Sequence, residues 1–374
     1  MAARDRVIAT RLLAWYDSGH RDLPWRRTGD PYRIWVSEIM LQQTRAQTAI
    51  PYYERFVQRF PDAGALAAAS QDDLLALWSG LGYYSRARNL HRAAREMVAA
   101  GGFPSDYAGI RALPGVGEYT AAAIASIAFG LPHAALDGNV MRVVARVEND
   151  AADIASGRTR GRFRAVAQGW LDEARPGAFN QAIMELGATV CLPRKPLCPE
   201  CPLAGVCRAR QAGTAPQLPV KLRPREPVRV DATLLLVRHG GRVLLHQRPQ
   251  SARRMPGFWF LPSPEDLPAA RIGEFLGEFR HSITHHRYTF QVWVASARSP
   301  GHGYAWFAAE RLGEIPLSTT ARKALRLGQA CGPAGGTGQR SPANLSRNRV
   351  YTHETPTKIN PSTRNEKSRG KGCR

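Results

Sequence analysis

The stretch LPGVGEYTAAAIASIAFG, residues 113–130, places two glycines, Gly115 and Gly117, one residue apart and directly before an alanine-rich segment. Glycine permits a tight backbone turn that exposes main-chain amides, and the alanines predict a helix that starts at once. Amides at a helix N-terminus bind anions. Together with a short helix predicted over residues 105–112, the stretch indicates a helix-hairpin-helix that binds DNA phosphate. An ordinary turn between two packed helices is the alternative.

Glu38, in the segment WVSEIMLQQT, is a candidate general acid. Asp30–Pro31 is typical of a helix start, so we expect a helix from residue 31 to about residue 43. On that helix Ile34, Glu38 and Leu41 share one face. A carboxyl group on an apolar face is costly to ionise, so its pKa should be raised. A solvated surface glutamate is the alternative.

A second acid, Asp137, lies in a different setting, in the segment LDGNV before a run of valines at helical spacing. The pattern predicts that Asp137 or Asn139 caps the helix that follows. Main-chain N–H groups at a helix start favour the ionised form, so we expect Asp137 to stay negative. A protonated acid near an ionised one suits the cleavage of a bond to a sugar. A purely structural cap is the alternative for Asp137.

Four cysteines, Cys191, Cys198, Cys201 and Cys207, are separated by six, two and five residues. Thiolates this close in sequence suit a tetrahedral metal site or an iron–sulfur cluster. Zinc ribbons usually carry two CxxC pairs, whereas only Cys198 and Cys201 form one here. We do not expect a disulfide framework, because the sequence shows no secretory signal and is otherwise poor in cysteine.

Several segments of the chain resemble, in order and with natural spacing, those of MutY-type adenine DNA glycosylases of the endonuclease III, or helix-hairpin-helix, superfamily. They are WVSEIMLQQT, GLGYYSRARNLHRAA, LPGVGEYTAAA, LDGNVMRVVAR, FNQAIMELGATVC and the four cysteines, between about residues 5 and 210. The resemblance implies an α+β multidomain protein. Its all-helical glycosylase domain would have the active site between a six-helix barrel and a part that carries a [4Fe-4S] cluster.

The resemblance also implies a reaction of base excision repair, in which adenine mispaired with 8-oxoguanine or guanine is flipped out and its N-glycosidic bond is hydrolysed. Glu38 would protonate the adenine, Asp137 would stabilise the oxocarbenium-like sugar, and Asn139 would orient Asp137. Tyr119 occupies the position at which the strand-cutting relatives carry a lysine nucleophile. Because a phenol cannot form a Schiff base, we expect a monofunctional glycosylase.

Further positions match DNA-contacting residues of the family. Arg26 and Glu185 would line the adenine pocket, and the amides of Gly115 and Gly117 would bind phosphate. The side chains that would fill the gap left in the duplex are Gln42, Gln43 and Tyr83. Core packing is the alternative for Tyr83.

The chain divides into four segments by composition. We expect a glycosylase domain over residues 1–207, a linker over 208–227, a Nudix-like α/β lesion-recognition domain over 228–327, and a disordered basic tail over 328–374. The linker is polar and contains four prolines, so it should be extended. The tail has no apolar periodicity.

Strand signals dominate the third segment, in which VDATLLLVR, a turn at residues 239–241 and RVLLHQR predict a hairpin. Further strands are expected near residues 282–297 and 304–307. The segment resembles the domain with which the family reads 8-oxoguanine. The cluster of glutamates expected after GFWFLP in a Nudix hydrolase is missing, so we expect no pyrophosphate hydrolysis.

The family usually places Phe-Ser-His on the loop that contacts the lesion, and the aligned residues here are Ile283, Thr284 and His285. Thr284 retains a hydroxyl donor, so we expect 8-oxoguanine to be recognised, although the β-branched side chains could change the strength of binding. His286 is an alternative to His285, because the register of the loop is ambiguous.

A formal net charge of +22 indicates a polyanionic partner, with salt-sensitive and sequence-independent affinity for double-stranded DNA. No apolar run approaches the length of a membrane span. We expect a monomer in the cytoplasm, associated with a bacterial nucleoid. Three alternatives stay open: a mismatch thymine or uracil glycosylase, a glycosylase that also cuts the strand, and a noncatalytic lesion-binding protein.

Overall fold

The structure, a computed structural model, describes residues 3–222, 226–249, 251–252, 255–283, 285–297 and 301–330. The predictions for Thr284 and for the tail beyond Ala330 lie outside these residues. Within the described ranges, helices form the first part of the chain and a sheet follows. No helix in these ranges is long and apolar enough to cross a membrane.

The helices of the first part are α1 (Ala3–Ser18), α2 (Pro31–Leu41), α3 (Ala46–Arg59), α4 (Ala63–Ala68), α5 (Gln71–Trp78), α6 (Ser85–Ala99), α7 (Tyr107–Ala112), α8 (Glu118–Phe129), α9 (Gly138–Glu148), α10 (Gly157–Trp170), α11 (Pro176–Thr189) and α12 (Arg208–Gln211). Short 3-10 turns occur at Pro24–Arg26, Cys198–Glu200 and Ala215–Gln217.

Several helices begin at a side chain that accepts a hydrogen bond from the backbone of the first turn. Asp30 accepts one from the Tyr32 N–H at 2.9 Å, so α2 begins where the sequence predicts. It ends at Leu41, about two residues before the predicted end. The helix predicted to begin at residue 105 starts later, because Asp106 is its cap and accepts from the Gly109 N–H.

The helical part has two hydrophobic cores. The first is built by α2 to α8, and Trp35, Phe56 and Trp78 are among its fully buried side chains. The second is built mainly by α1 and α9 to α11, with Trp170 and Phe179 buried in it. Seven helices contribute to the first core, one more than the six implied by the resemblance, when the short helices α4 and α7 are included.

The beginning of the predicted linker is not extended. α12 and the 3-10 turn that follows fold back on the second core, where Ala209, Ala215 and Leu218 are buried. The Arg146 Nε–H donates to the Leu218 carbonyl at 3.0 Å and fixes the returning chain. The prediction was wrong here because a few apolar side chains among polar ones suffice to anchor a short segment on an existing core.

The strands of the second part are β1 (Val228–His239), β2 (Arg242–Gln247), β3 (Trp259–Phe260), β4 (Arg271–Ile283), β5 (His286–Ser296) and β6 (Tyr304–Ala308), followed by helix α13 (Thr319–Ala330). The sheet order is β3-β2-β1-β5-β4, with β6 on β2. β1 and β5 are parallel, while β4 and β5 are antiparallel. The predicted β1–β2 hairpin and the two later strands are confirmed.

β4 and α13 are not among the elements predicted from the sequence. The register of β4 shifts between Ile272 and Phe275 and again before Gly277, which interrupts the alternation of inward and outward residues. α13 packs on the sheet through the buried side chains of Ala321, Ala324 and Leu325. This helix extends to Ala330, three residues into the segment predicted to be disordered.

The sheet domain docks on the first helical core through the segment before β3. Phe258 is fully buried, and its ring centroid lies 4.0 Å from that of Tyr84. The Arg88 guanidinium donates to a main-chain carbonyl of the same segment at 2.9 Å. The Ser79 hydroxyl donates to the Leu317 carbonyl at 2.8 Å. These contacts hold the turn between α5 and α6 against the sheet domain.

Candidate active site

Glu38, on α2, is 4% exposed. The Tyr119 hydroxyl, from the first turn of α8, donates to Glu38 Oε2 at 2.7 Å. The sequence singles out both residues but does not show that they touch. The bond orients the carboxyl group, because its length is that of a well-formed O–H···O hydrogen bond.

The pKa of Glu38 is raised from an ordinary 4.5 to about 7. Burial is the main cause, and the negative charge of Asp137 raises the pKa further, while the Tyr119 hydrogen bond lowers it. The raised pKa predicted from the apolar helix face is therefore confirmed. A carboxyl group that is partly protonated near neutral pH can donate a proton to a substrate.

Asp137 caps α9, as predicted. Its Oδ1 accepts from the Val140 N–H at 2.7 Å, and its Oδ2 accepts from the Asn139 side-chain amide at 2.9 Å. These hydrogen bonds lower the pKa of Asp137, but burial outweighs them, so the pKa is raised. Desolvation of the carboxylate is thus a larger effect than the helix start, and that Asp137 stays negative remains a prediction. Asp137 affects the pKa of both Glu38 and Tyr119, so the two acids share one site.

Arg142, which the sequence does not single out, connects Asn139 to the cysteine loop. Its NH2 group donates to Asn139 Oδ1 at 2.8 Å and to the Gly187 carbonyl at 2.7 Å. Its Nε–H donates to the Cys191 carbonyl at 2.7 Å. A continuous series of hydrogen bonds thus runs from Asp137 to the backbone of the first cysteine.

Glu185, on α11, is a buried acid held by two arginines. Arg21 binds both carboxylate oxygens, each at 2.7 Å, and Arg26 donates to Oε2 at 2.8 Å. Burial would raise the pKa of Glu185, but the hydrogen bonds outweigh it and lower the pKa to about 2. The three side chains therefore carry one positive charge in excess. The resemblance identifies Arg26 and Glu185 but not Arg21, which has no distinguishing motif.

The glycine hairpin joins α7 and α8. Gly115 has a φ of +80°, and a Cβ there would lie 2.7 Å from the Asn89 Cβ, so only glycine fits. Gly117 has an ordinary φ of −91°, and nothing lies within 4 Å of an added Cβ. Only Gly115 is needed for the turn. Gly117 instead leaves open space beside the first amides of α8, where an anion can approach.

Gln42, Gln43 and Tyr83 lie in two loops. The Gln42 side chain donates to Thr120 Oγ1 at 3.1 Å. Gln43 and Tyr83 have φ values of +59° and +48°, a left-handed conformation that costs residues other than glycine about 1–2 kcal/mol. Tyr83 is 43% exposed, whereas Tyr84 is 6% exposed, so core packing applies to Tyr84. Strained and exposed positions of this kind are typical of functional sites.

The four cysteines, Cys191, Cys198, Cys201 and Cys207, lie at the second core as free thiols. Arg146 NH1 donates to Cys191 Sγ at 3.2 Å. In the part of the chain that the structure describes, no group of three or more His, Cys, Asp or Glu side chains is arranged to hold a single metal ion. The four sulfur atoms are neighbours, since Cys191, Cys207 and Cys198 each raise the pKa of Cys201, and four thiolates are a donor set that an iron–sulfur cluster or a zinc ion can take.

Ile283 and His285, two of the residues proposed to contact the lesion, lie where β4 meets β5. Ile283 is 40% exposed and pairs with His286. The His285 carbonyl accepts from the Val228 N–H at 3.0 Å, and the rings of His285 and His286 have centroids 4.1 Å apart. Both histidines are thus at the turn, while Thr284 lies outside the described residues.

A helix-hairpin-helix beside a buried pair of acids, followed by a separate sheet domain, defines a DNA base-excision protein of two folded parts. Residues 36–167 match the HhH-GPD superfamily of base excision DNA repair proteins, and residues 232–327 match the NUDIX domain.

Two relatives identify the family within this class of DNA repair proteins. The adenine DNA glycosylase of Homo sapiens is 36% identical, over 86% of this chain and 74% of the human protein. That of Buchnera aphidicola subsp. Baizongia pistaciae (strain Bp) is 33% identical, over 77% of this chain and 86% of the relative. The chain belongs to the adenine DNA glycosylase family, and it is a DNA glycosylase of base excision repair.

One solved structure, of a thermostable thymine-DNA glycosylase, is similar with a TM-score of 0.50 and 28% sequence identity. The similar region covers 56% of this chain and 97% of the chain of the thymine-DNA glycosylase. The similarity therefore leaves nearly half of this chain without a counterpart in that enzyme.

Proposed function

We propose that the enzyme removes adenine mispaired with 8-oxoguanine or guanine, after the adenine has left the duplex. The observation that carries this proposal is Glu38, a buried carboxyl group with a pKa of about 7, oriented by Tyr119 and close to Asp137. A ring nitrogen of adenine accepts a proton, and a protonated base leaves more readily. The relatives named adenine DNA glycosylase support the choice of base.

In the proposed reaction, Glu38 donates its proton to the adenine ring as the bond between base and sugar breaks and its electron pair leaves with the base. Positive charge develops on the sugar, and the Asp137 anion stabilises it. This developing charge lowers the pKa of Asp137 and so opposes the effect of burial. Ionised Glu38 then accepts a proton from the water molecule that attacks the sugar, which completes hydrolysis.

The proposed substrate is double-stranded DNA, from which the adenine is flipped into the site. The exposure and left-handed backbone of Gln43 and Tyr83, together with the neighbouring Gln42, support a role in filling the gap. The open amides beside Gly115 and Gly117 suit a phosphate group. A flipped adenine would lie near Glu38, beside the pocket that Arg26 and Glu185 are proposed to line.

Strand cleavage is not part of the proposal. A lyase of this type needs an amine that forms a Schiff base with the sugar. The residue that hydrogen-bonds to Glu38 is the phenol of Tyr119, which cannot supply that nitrogen. The product is therefore an intact strand with an abasic site.

The four cysteines are proposed to hold a [4Fe-4S] cluster, which when bound would cross-link the loop from Cys191 to Cys207. The N–H of Arg146 directed at Cys191 Sγ suits a thiolate, because a charged sulfur is the better acceptor. The Nudix-like domain is proposed to read 8-oxoguanine through Thr284 and through His285, which lies at the β4–β5 turn.

The proposal is tested with duplexes that contain A opposite 8-oxoguanine, A opposite G, or T opposite G. Strand breaks that appear at A only after hot alkali are the expected result, because alkali cleaves an abasic site. Breaks before alkali would instead indicate a lyase. Tight binding without any breaks would indicate a noncatalytic protein. Glu38→Gln should bind the duplex but produce no abasic site.

The T opposite G duplex tests a second candidate function, excision of mismatched thymine. The similarity to the thymine-DNA glycosylase structure is the observation in its favour. The sheet domain and the relatives named adenine DNA glycosylase favour adenine. Breaks at T that exceed those at A would overturn the adenine assignment.

A further inference from the structure

We propose that Arg86 is a positioning residue that holds the two duplex-entering loops in a fixed relation to each other. The α2–α3 loop consists of residues 42–45 and carries Gln42 and Gln43, and the α5–α6 turn consists of residues 79–84 and carries Tyr83. The inference rests on the proposed function, which assigns these three side chains to the flipped duplex.

The Arg86 guanidinium hydrogen-bonds to both loops. On the side of α2, its NH1 group lies 2.9 Å from the carbonyl oxygens of Ile39 and Met40 and 2.6 Å from that of Gln42. On the side of the α5–α6 turn, its NH2 group lies 3.2 Å from the carbonyl oxygens of Leu81 and Gly82. A rigid, planar group that reaches both loops fixes the distance between them.

The same guanidinium contacts the proposed wedge residue itself. Its central carbon lies 5.5 Å from the centroid of the Tyr83 ring and 5.3 Å from that of Trp78. Both distances are within the range of a cation–π attraction. Arg86 NH2 also lies 3.3 Å from Thr44 Oγ1, the residue after Gln43.

The charge of Arg86 is balanced by these loops and not by an acid. Arg86 is 7% exposed, and it forms no ion pair with any residue in the described ranges. A buried cation requires compensation, which here comes from main-chain carbonyl groups, including those at the negatively polarised end of α2. Movement of either loop would leave the cation poorly solvated, so the two loops are energetically coupled through it.

The strained backbones at Gln43 and Tyr83 need such support. Residues other than glycine remain in the left-handed region only where their surroundings fix them. Arg86 binds the carbonyl of Gln42, directly before one strained residue, and lies against the ring of the other. The contacts therefore act at the two positions where the chain would otherwise relax.

The test uses Arg86→Met, which keeps the length of the side chain without charge, and Arg86→Lys, which keeps the charge without the planar fork. Leu66→Ala is the matched control, because it removes packing from the same core at α4, a helix that flanks neither loop. Arg95→Lys is a second control on α6, where the arginine donates to the Ala67 carbonyl.

Base extrusion is measured first, with 2-aminopurine in place of the target adenine and all variants in a Glu38→Gln background. At saturating protein, Arg86→Met should reduce the fluorescence gain of the extruded base by roughly fivefold or more, since misplacement of about 1 Å costs up to about a hundredfold in rate. Arg86→Lys should lose less, and both controls should keep the full gain.

Single-turnover release of adenine by variants that retain Glu38 is the second measurement. Arg86→Met should be slower by about tenfold or more and Arg86→Lys by less, as expected for a positional defect. The inference is overturned if Arg86 variants extrude the base as fully as the controls, or if Leu66→Ala at equal loss of melting temperature has the same effect. If the unsubstituted enzyme releases no adenine, the proposed function itself fails, which is a distinct outcome.

Discussion

Glu38 destabilises the fold that contains it at neutral pH. Its pKa is about 7 in the folded protein and 4.5 in an ordinary setting, so the unfolded chain loses this proton first. The proton that folded Glu38 retains contributes to the stability of the fold. This contribution is complete below pH 4.5 and is lost as the pH rises through 7. A pKa difference of one between the folded and unfolded states corresponds to about 1.4 kcal/mol, so above pH 7 the penalty is on the order of 3 kcal/mol.

Glu38→Gln should therefore inactivate the enzyme and stabilise it. Glutamine cannot donate a carboxyl proton, but it can still accept the Tyr119 hydrogen bond. The free energy of unfolding should exceed that of the unsubstituted protein by about 1–3 kcal/mol at pH 8, with little difference at pH 4.5. Urea unfolding at both pH values measures this, with the exposed Glu96→Gln as control. A variant that is less stable at both values would contradict the assigned burial.

The rate of adenine release should fall as the pH rises through about 7, because Glu38 has to be protonated for the acid role proposed for it. Tyr119→Phe should move this midpoint to higher pH, since the Tyr119 hydroxyl lowers the pKa of Glu38. Single-turnover rates on either side of pH 7 give the midpoint of each protein. A midpoint that moves downward in Tyr119→Phe would show that the hydroxyl does not favour the ionised acid.

Among individual residues, the candidate catalytic acids could be identified from the sequence, whereas three of the arginines that hold the site and its loops could not. An acid on an apolar helix face or before a valine-rich helix is conspicuous, so Glu38 and Asp137 could be found. Arg21, Arg86 and Arg142 could not, because an arginine on a helix or loop is normally solvated. Their roles depend on carbonyl and carboxylate groups that are distant in sequence.

Among the elements, the close approach of α11 to the start of α9 positions Asp137. A Cβ added at Gly187 would lie 2.6 Å from the Cβ of Asn139, so Gly187→Ala would displace the start of α9. We expect the rate to fall by about ten- to a hundredfold and the stability by about 1–3 kcal/mol. Gly161→Ala in α10, with nothing within 4 Å, is the matched control and should be neutral or slightly stabilising. Equal behaviour of both variants would show that α9 tolerates the displacement.

Substitutions at the two hairpin glycines should affect the stability of the protein and its binding to DNA separately. Gly115→Ala introduces a side chain at a φ of +80° against Asn89, so it should reduce stability by about 1–3 kcal/mol. Gly117→Ala should leave stability nearly unchanged but weaken DNA binding, because its methyl group occupies the space beside the amides of α8. Urea unfolding and duplex titration measure the two effects. Unchanged affinity in Gly117→Ala would argue against phosphate at this position.

The predictability of the elements depends on how local their signals are. Caps such as Asp30 and the turn at residues 239–241 act over a few residues, so these boundaries are correct in the prediction. β4 and residues 208–220 depend instead on irregular pairing and on anchoring to a distant core. Neither the alternation of apolar and polar residues that marks a strand nor the number of prolines in a segment reveals such pairing or anchoring.

At the scale of the whole molecule, Phe258 joins the sheet domain to the helical core beneath the α5–α6 turn. Phe258→Ala should cost about 3–5 kcal/mol and loosen that turn. Hydrogen exchange should then increase at residues 79–84. Phe290→Ala, a cavity inside the sheet domain, is the control and should not affect those amides. Equal exchange at the turn in both variants would mean that the docking does not support it.

The ring of Phe258 also limits how the polypeptide can be divided. A fragment that ends at residue 222 would expose the hydrophobic pocket around Tyr84 to water. The complementary fragment would expose the Phe258 side chain. Such surfaces favour self-association of each piece. Truncation between the two parts is therefore a poor route to a soluble minimal catalyst, even though Glu38 and Asp137, the proposed catalytic acids, both precede residue 222.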